Sequence, residues 1–172
     1  MGRILPKTIS HNEFLELVKG ISHTDPAKEK KLKTAVVLGF YQCMRISEVL
    51  DLKPSNIDKE RGFLHLLQAK GKKDRDVPIQ KPVTKFLKHC PIGIPKRTLQ
   101  RIITQTALRV LNKHVTFHHL RHSGATFYLS KGMDIRHLQA LLGHSRITTT
   151  EIYTHVTSTG LKKITDKIWE DI

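Results

Sequence analysis

Cysteine, aromatic residues, acidic residues and long apolar runs are all scarce in this 172-residue sequence. Its two cysteines, Cys43 and Cys90, are too few for a disulfide scaffold, and they lack the CxxC spacing of a zinc ribbon. Aromatic residues make up 6% of the chain, which argues against a single-strand binder built on stacked aromatic platforms. No apolar run reaches the length of a membrane span, and the N-terminal residues contain no apolar secretory core. We therefore expect an intracellular protein that does not enter a membrane.

The charge balance is the most distinctive property of the composition. The chain carries 30 Lys and Arg against 15 Asp and Glu, a formal net charge of +15. Such an excess favours a polyanionic partner, either nucleic acid or an anionic membrane surface. A solvated basic surface without any partner would have the same composition. The apolar content of 38% is sufficient for the core of one compact domain.

The hydrophobic periodicity predicts an α+β domain that is mainly α, with a small antiparallel three-stranded sheet in the first half. Two strands, 63–67 and 75–79, flank a polar turn at 71–74 within a sheet region that covers 57–79. The charged segment 25–33 is predicted as a loop. A capping box at Ser10 begins the first helix. The other predicted helices cover 34–43, 47–52, 83–89, 98–111, 116–131, 134–142 and 158–169.

Two cationic motifs lie in the first half of the chain. Arg45 has apolar neighbours, which makes its charge costly unless it is paired, and Glu48 follows one helical turn later. A purely structural ion pair would give the same pattern. The hairpin turn is lysine-rich, with Lys70 and Lys72 at its tip, and an ordinary solvated turn is the alternative there.

Histidine and arginine lie close together at the start of the predicted helix 116–131. His118 and Arg121 are three residues apart, hence on one face, and a helix N-terminus favours a bound anion. His118 and His122 have the four-residue spacing of a two-histidine metal site. No glutamate follows His118, as a zinc hydrolase helix requires, so phosphate binding ranks above metal binding. A polar helix start without a function is the alternative.

Two further candidates lie near the C-terminal end. His144 follows the apolar run that ends at Gly143, where it is either a capping side chain or a site residue. Tyr153 lies in a threonine-rich segment, and a lone tyrosine is usually a packing residue or a surface hydroxyl. Its phenol has an ordinary pKa of about 10 and needs nearby cations or a base to act as a nucleophile.

Combined, these residue types are suited to phosphodiester chemistry. Two arginines can hold the nonbridging oxygens of a phosphodiester and neutralise the charge of a pentacoordinate phosphorane. Histidine can donate hydrogen bonds or transfer a proton near neutral pH. A lysine can protonate the departing oxygen while a tyrosine attacks the phosphorus. Guanidinium charge takes the place of a metal ion, so neither a metal nor another cofactor is expected.

The motifs resemble those of the tyrosine recombinases, also called the phage-integrase or Xer-like family. The resemblance covers about 4–166 and corresponds to the family's catalytic domain. The matching segments are 44–49, 69–75, 118–123, 138–145 and 149–155. It implies one catalytic domain over 1–172. Family members usually carry an N-terminal core-binding domain that closes around DNA, and we expect that domain to be absent from this chain.

The resemblance implies a group of residues that bind the scissile phosphate. Arg45 and Arg121 are similar to the family's two phosphate-binding arginines. Glu48 is similar to the acidic residue that orients the first of these arginines. His144 is similar to the histidine that donates a hydrogen bond to the phosphate.

The resemblance also implies the groups that make and break bonds. Tyr153 is similar to the nucleophile that forms a 3′-phosphotyrosyl link. Lys70 is similar to the general acid that protonates the leaving 5′-hydroxyl, and Lys72 is its rival in the same turn. His118 is similar to the histidine that assists proton transfer. Because the covalent link conserves the phosphodiester energy, rejoining requires neither ATP nor metal.

The partners follow from the same resemblance. We expect double-stranded DNA with a specific recombination site as the substrate, and self-association on DNA up to a tetramer. The expected location is cytoplasmic or nucleoid-associated. Further DNA contacts are expected from four basic residues, Lys72, Lys73, Arg75 and Arg146.

The function that these expectations support is site-specific recombination. It would serve the integration and excision of a mobile or viral element, or the resolution of chromosome dimers. A type IB topoisomerase shares the chemistry but would relax supercoils without site preference. A non-catalytic DNA-binding module and a basic, histidine-rich metal binder are alternatives of other classes. The presence of all the polar site residues argues against the non-catalytic module.

Overall fold

The computed structural model of the chain describes residues 8–67, 74–143 and 158–170. It begins with three helices, α1 (His11–Gly20), α2 (Pro26–Tyr41) and α3 (Ile46–Asp51). The capping box predicted at α1 is confirmed, since the Ser10 hydroxyl accepts from the Glu13 amide while the Glu13 carboxylate accepts from the Ser10 amide.

The loop predicted over 25–33 is wrong, because α2 already begins at Pro26. The Asp25 carboxylate accepts hydrogen bonds from the amides of Ala27 and Lys28, and the fixed φ of Pro26 suits the first helical position. The lysine-rich first turns of α2 are exposed or half-buried, so their charges stay in contact with solvent. The helix becomes buried only from Leu32 onwards.

A three-stranded antiparallel sheet follows α3, as predicted. A short 3₁₀ helix (Pro54–Asn56) leads into β1 (Ile57–Asp58), and β2 (Phe63–Leu66) lies between β1 and β3 (Arg75–Pro78). The register pairs Leu64 with both Ile57 and Val77. Leu64, Leu66 and Val77 are buried, so one face of the sheet packs onto the helices.

The rest of the described chain is helical. The predicted helix 83–89 is a 3₁₀ helix (Lys81–His89) that buries Val83 and Leu87. The helices predicted from 98 onwards are confirmed to within two residues at each end. They are α4 (Lys96–Leu111), α5 (Phe117–Ser130), α6 (Ile135–Leu142) and α7 (Ser158–Glu170). None of the helices in the described ranges is long and apolar enough to cross a membrane.

The helix α7 packs on its own domain. Leu161, Ile168 and Trp169 are buried, and the indole Nε1 of Trp169 donates a 2.8 Å hydrogen bond to the side-chain oxygen of Gln80. The Trp169 ring also contacts Tyr41 edge to face. The apolar side of α7 is therefore part of the core that surrounds α2.

The contact between α2 and α5 positions the elements of the site. Both helices are largely buried, and Gly124 of α5 lies against the main chain of α2, so that a Cβ at this position would overlap the Phe40 carbonyl oxygen. The Tyr128 hydroxyl donates a 2.7 Å hydrogen bond to the carbonyl of Tyr41. This contact brings the start of α5 beside the turn that follows α2.

Replacing Gly124 with alanine tests this close approach. We expect Gly124→Ala to lower the free energy of unfolding by about 2 kcal/mol or more, because the added methyl forces two buried helices apart. Urea denaturation measures the change. The exposed Thr126→Ala on the same helix is the control and should change stability by less than about 0.5 kcal/mol. Equal stability of Gly124→Ala and the wild type would contradict the contact.

Candidate active site

A buried carboxylate, Glu48, is the centre of a cluster of arginines. Its side chain is 7% exposed and accepts hydrogen bonds at 2.7 Å from Nη1 of Arg45 and at 2.8 Å from Nη1 of Arg75. Nη1 of Arg121 lies 3.7 Å from its second oxygen. Three guanidiniums around one carboxylate leave the cluster with an excess of positive charge.

A sharp turn at the end of α2 positions Arg45. Cys43 is buried in the left-handed region, with φ of 49°, and it redirects the chain so that Arg45 becomes the N-cap residue of α3. The Arg45 amide donates to Glu48 at 2.7 Å. The Arg45 side chain keeps 32% of its surface exposed, so its guanidinium is held by Glu48 and still reaches solvent.

Arg121 is held from the opposite side by main-chain carbonyls. Its Nη1 donates to the carbonyl of Cys43 at 2.5 Å and its Nη2 to the carbonyl of Leu142 at 2.8 Å. Burial, and after it the charge of Arg45, lower the pKa of Arg121 to about 10. Arg121 therefore keeps its charge at neutral pH and is hydrogen-bonded between the end of α2 and the end of α6.

Glu48 keeps its charge as well. Burial by itself would raise the pKa of Glu48, but hydrogen bonds from the Arg75 side chain and the Arg45 main chain hold that pKa below its ordinary value. The carboxylate is therefore a permanent partner for the arginines across the neutral range.

The arginine cluster borders a cavity of about 310 Å³ between α3 and the start of α5. Arg45, His118 and Arg121 supply its cationic and polar wall, and the remaining lining residues are Met44, Ile46, Ser47 and Phe117. Two arginines that line one small cavity suit an anion with several oxygens, such as a phosphodiester.

His118 lies in the first turn of α5. The Thr116 hydroxyl caps this helix by accepting from the His119 amide, and Nδ1 of His119 accepts from the Thr116 amide in return. His119 is thus part of the cap, whereas His118 borders the cavity. Nε2 of His118 lies 2.7 Å from Nε2 of His122. Over the described ranges, no group of three or more His, Cys, Asp or Glu side chains is arranged to hold a metal ion.

Four of the predicted site residues are brought together by the structure, and they are Arg45, Glu48, His118 and Arg121. The other members of the predicted site lie outside the described residues, and they are Lys70, Lys72, Lys73, His144, Arg146 and Tyr153. The roles of all these residues remain predictions.

Arg75 occupies a different environment from the one that the sequence suggests. As a DNA contact it should be exposed, but its side chain is 11% exposed and its guanidinium faces Glu48. The only sequence signal for this position is its place at the start of a strand directly after the lysine-rich turn. Sequence spacing does not connect it with Glu48, which lies on another element.

A sequence profile described as the phage integrase family matches residues 7–92 and 93–159. The tyrosine recombinase XerA of Pyrococcus furiosus is 33% identical over 183 residues, which cover 96% of this chain and 63% of the relative. XerD of Corynebacterium glutamicum is 34% identical over 95% of this chain and 62% of its own length. The chain thus spans less than two thirds of the length of these relatives.

Solved structures of the family share the fold. A XerA recombinase crystal structure superimposes with a TM-score of 0.72 at 26% identity, covering 96% of this chain and 66% of that one. The integrase from mycobacterium phage Brujita gives a TM-score of 0.77 at 22% identity over 98% of this chain and 60% of its own. On the profile match and these similarities, the chain belongs to the phage integrase family, the tyrosine recombinases that its motifs resemble.

Proposed function

We propose that this chain is the catalytic domain of a site-specific DNA recombinase that cleaves and rejoins strands through a 3′-phosphotyrosyl intermediate. The observation that carries the proposal is the pair of guanidiniums, Arg45 and Arg121, that border one cavity in a chain of this family. The reaction class that this pair serves is phosphoryl transfer between oxygen nucleophiles.

The two arginines bind the nonbridging oxygens of the scissile phosphodiester. Arg121 is held by two main-chain carbonyls and Arg45 by Glu48, so both charges are in place before DNA binds. Such preorganised charge stabilises the pentacoordinate transition state more than the ground state. His144, which follows Gly143 in the sequence, adds a hydrogen bond to the same phosphate.

The bond changes balance without any co-reactant. The phenolic oxygen of Tyr153 attacks phosphorus, and the bond from phosphorus to the 5′-oxygen breaks. His118 assists the transfer of the phenol proton to a base. Lys70, with Lys72 as its rival, gives a proton to the departing 5′-oxygen. In rejoining, a 5′-hydroxyl gives its proton to the lysine as it attacks the phosphotyrosyl phosphorus, and the departing oxygen of Tyr153 regains its proton. The phosphodiester energy is conserved, so no ATP is required, and the two guanidiniums supply the charge stabilisation for which other enzymes use a metal ion.

The proposed substrate is double-stranded DNA that carries a specific recombination site. Structures in the family support this choice, since a XerH recombinase was solved bound to its difH substrate, and a lambda integrase dimer was solved bound to a COC′ core site. Lys72, Lys73 and Arg146 provide further phosphate contacts in the proposal. Up to four copies assemble on DNA inside the cell, for integration and excision of an element or for chromosome-dimer resolution.

A covalent-adduct assay tests the nucleophile. On a pool of nicked suicide duplexes with randomised flanking sequence, we expect a denaturation-resistant protein–DNA adduct that Tyr153→Phe abolishes and a chelator does not affect. Tyr41→Phe, at a buried core tyrosine, is the matched control and should retain the adduct. An adduct that survives Tyr153→Phe would show another nucleophile, and one that needs a divalent metal would exclude the mechanism. Relaxation of supercoiled plasmid without site preference would indicate a topoisomerase.

Arg45 can be tested separately because its side chain is partly exposed. We expect Arg45→Ala to slow single-turnover adduct formation about 10²–10³-fold, since a preorganised charge on the transition state is lost. Arg61→Ala, an 82% exposed arginine on the β1–β2 turn, is the control and should leave the rate unchanged. A loss of less than about threefold in Arg45→Ala would remove this arginine from the catalytic site.

Salt dependence tests the proposed grip on the DNA backbone. We expect the logarithm of the binding constant to fall linearly with the logarithm of the salt concentration, with a slope of about −0.9 for each phosphate contacted. Fluorescence anisotropy with labelled duplex DNA measures the slope. A flat response would show that the net charge of +15 does not act through phosphate contacts.

A further inference from the structure

We propose that Arg75 is a positioning residue of the active site, which fixes the Glu48 carboxylate and joins the strand β3 to the end of α6. This inference rests on the proposed function, because it assigns Arg75 a role in the same strand-cleavage reaction. Arg75 would act through Glu48 on Arg45 and would itself not contact the phosphate.

Four hydrogen bonds hold the Glu48 carboxylate, and Arg75 donates two of them. Nη1 of Arg75 donates to Oε1 at 2.8 Å and Nη2 donates to Oε2 at 3.2 Å, so the pair is bidentate. Arg45 donates its Nη1 to Oε1 and its amide to Oε2, each at 2.7 Å. An ionised carboxylate offers about four acceptor positions. All four are used, so the carboxylate has one orientation, and Arg75 supplies half of the donors that fix it.

The Arg75 side chain also contacts the end of α6. Gly143 is in the left-handed region, with φ of 64°, and a Cβ there would lie 2.7 Å from Nη1 and 2.8 Å from Cδ of Arg75. The Arg75 side chain therefore packs directly against Gly143. The preceding carbonyl, that of Leu142, accepts from Nη2 of Arg121. Arg75 thus contacts the segment that holds Arg121 and that continues into His144.

Arg75 also belongs to the three-stranded sheet. Arg75 is the first residue of β3 and lies opposite Leu66 at the end of β2. The lysine-rich turn, with Lys70, connects these two strands in the sequence. Arg75 is therefore the residue at which this hairpin is attached to the arginine cluster. Arg75 lies in one of the five segments that the family resemblance assigns to the site, and its side chain contacts two others, through Glu48 and Gly143.

The burial of Arg75 distinguishes this role from a DNA contact. Its side chain is 11% exposed, against 32% for Arg45, and both of its terminal nitrogens are engaged by Glu48. Binding a phosphate would require Arg75 to withdraw both of its hydrogen bonds from the buried Glu48 carboxylate, which is costly. A lysine would not replace it well, because a single ammonium cannot make the two parallel bonds.

The pH dependence of the reaction separates this role from a purely structural one. Hydrogen bonds from Arg75 oppose the effect of burial and keep the pKa of Glu48 low. Without Arg75 that pKa rises, so Glu48 becomes protonated as the pH falls and no longer holds Arg45. The rate deficit of a variant at Arg75, relative to wild type, must therefore grow toward acidic pH. A purely structural role of Arg75 gives no such trend over the pH range in which both proteins stay folded.

Single-turnover adduct formation by Arg75→Met, measured from about pH 8 to about pH 5, is the first experiment. We expect a rate about a hundredfold below wild type near neutral pH, and a larger ratio at the acidic end. Arg75→Lys should recover part of the rate and also carries the test if Arg75→Met fails to fold. Arg61→Met is the matched control and should behave as wild type. A pH-independent deficit, or a wild-type rate, would overturn the proposal.

A double-mutant cycle identifies the residue through which Arg75 acts. If the effect passes through Glu48, the variant Glu48→Gln/Arg75→Met is no slower than Glu48→Gln alone. If instead the rate deficit of the double variant equals the product of the two single-variant deficits, Arg75 acts independently of Glu48, for example by contacting DNA. A second sign of a DNA contact would be a salt slope in Arg75→Met that is shallower than wild type by about 0.9, the value of one phosphate contact. That result would contradict the proposal.

A measurement without DNA separates this inference from the proposed function. The Glu48 carboxyl resonance, titrated by NMR in wild type and in Arg75→Met, should show a pKa that is higher in the variant. If the wild type forms no adduct, the proposed function fails while the titration still decides whether Arg75 controls Glu48. If the wild type forms the adduct but the Glu48 pKa is unchanged in Arg75→Met, the positioning role alone is excluded.

Discussion

The carboxylate of Glu48 is the interaction on which the rest of the site depends. Burying arginine charge in a protein is unfavourable unless an opposite charge and full hydrogen bonding accompany it. Glu48 provides the opposite charge for Arg45 and Arg75 and accepts hydrogen bonds from both guanidiniums, and it lies within 4 Å of Arg121. Since one negative charge meets three positive ones, the cluster stays cationic, and the cavity beside it is suited to a phosphate.

The scaffold around this cluster is closely packed, as a preorganised site requires. Gly124 lets α5 approach the main chain of α2 closely, and Arg121 lies one turn before that contact, within reach of the Cys43 carbonyl. The turn at Cys43 then directs Arg45 toward the same point. Charge and packing support each other here, because each arginine is anchored to main chain or to a buried carboxylate rather than to solvent.

Local features of the fold could be predicted from the sequence because their causes are local. The capping box at Ser10, the hairpin on both sides of a polar turn and the helical spacing of α4 to α7 all depend on neighbouring residues. The segment 25–33 was harder, since its many charges resemble those of a loop. Asp25 and Pro26 nevertheless start a helix there, and the burial of later turns of α2 stabilises it.

The sequence by itself determined the family, the mainly helical class and the residue types of the site, because motifs such as Arg45 with Glu48 are three residues apart and readable on one helical turn. Only the tertiary structure decided which distant groups complete the site. Arg75 reaches Glu48 across 27 positions, and Arg121 reaches the Cys43 carbonyl across 78. No periodicity connects positions on different elements. Their contact depends on how β3, α3 and α5 pack, and packing is set by the buried core as a whole.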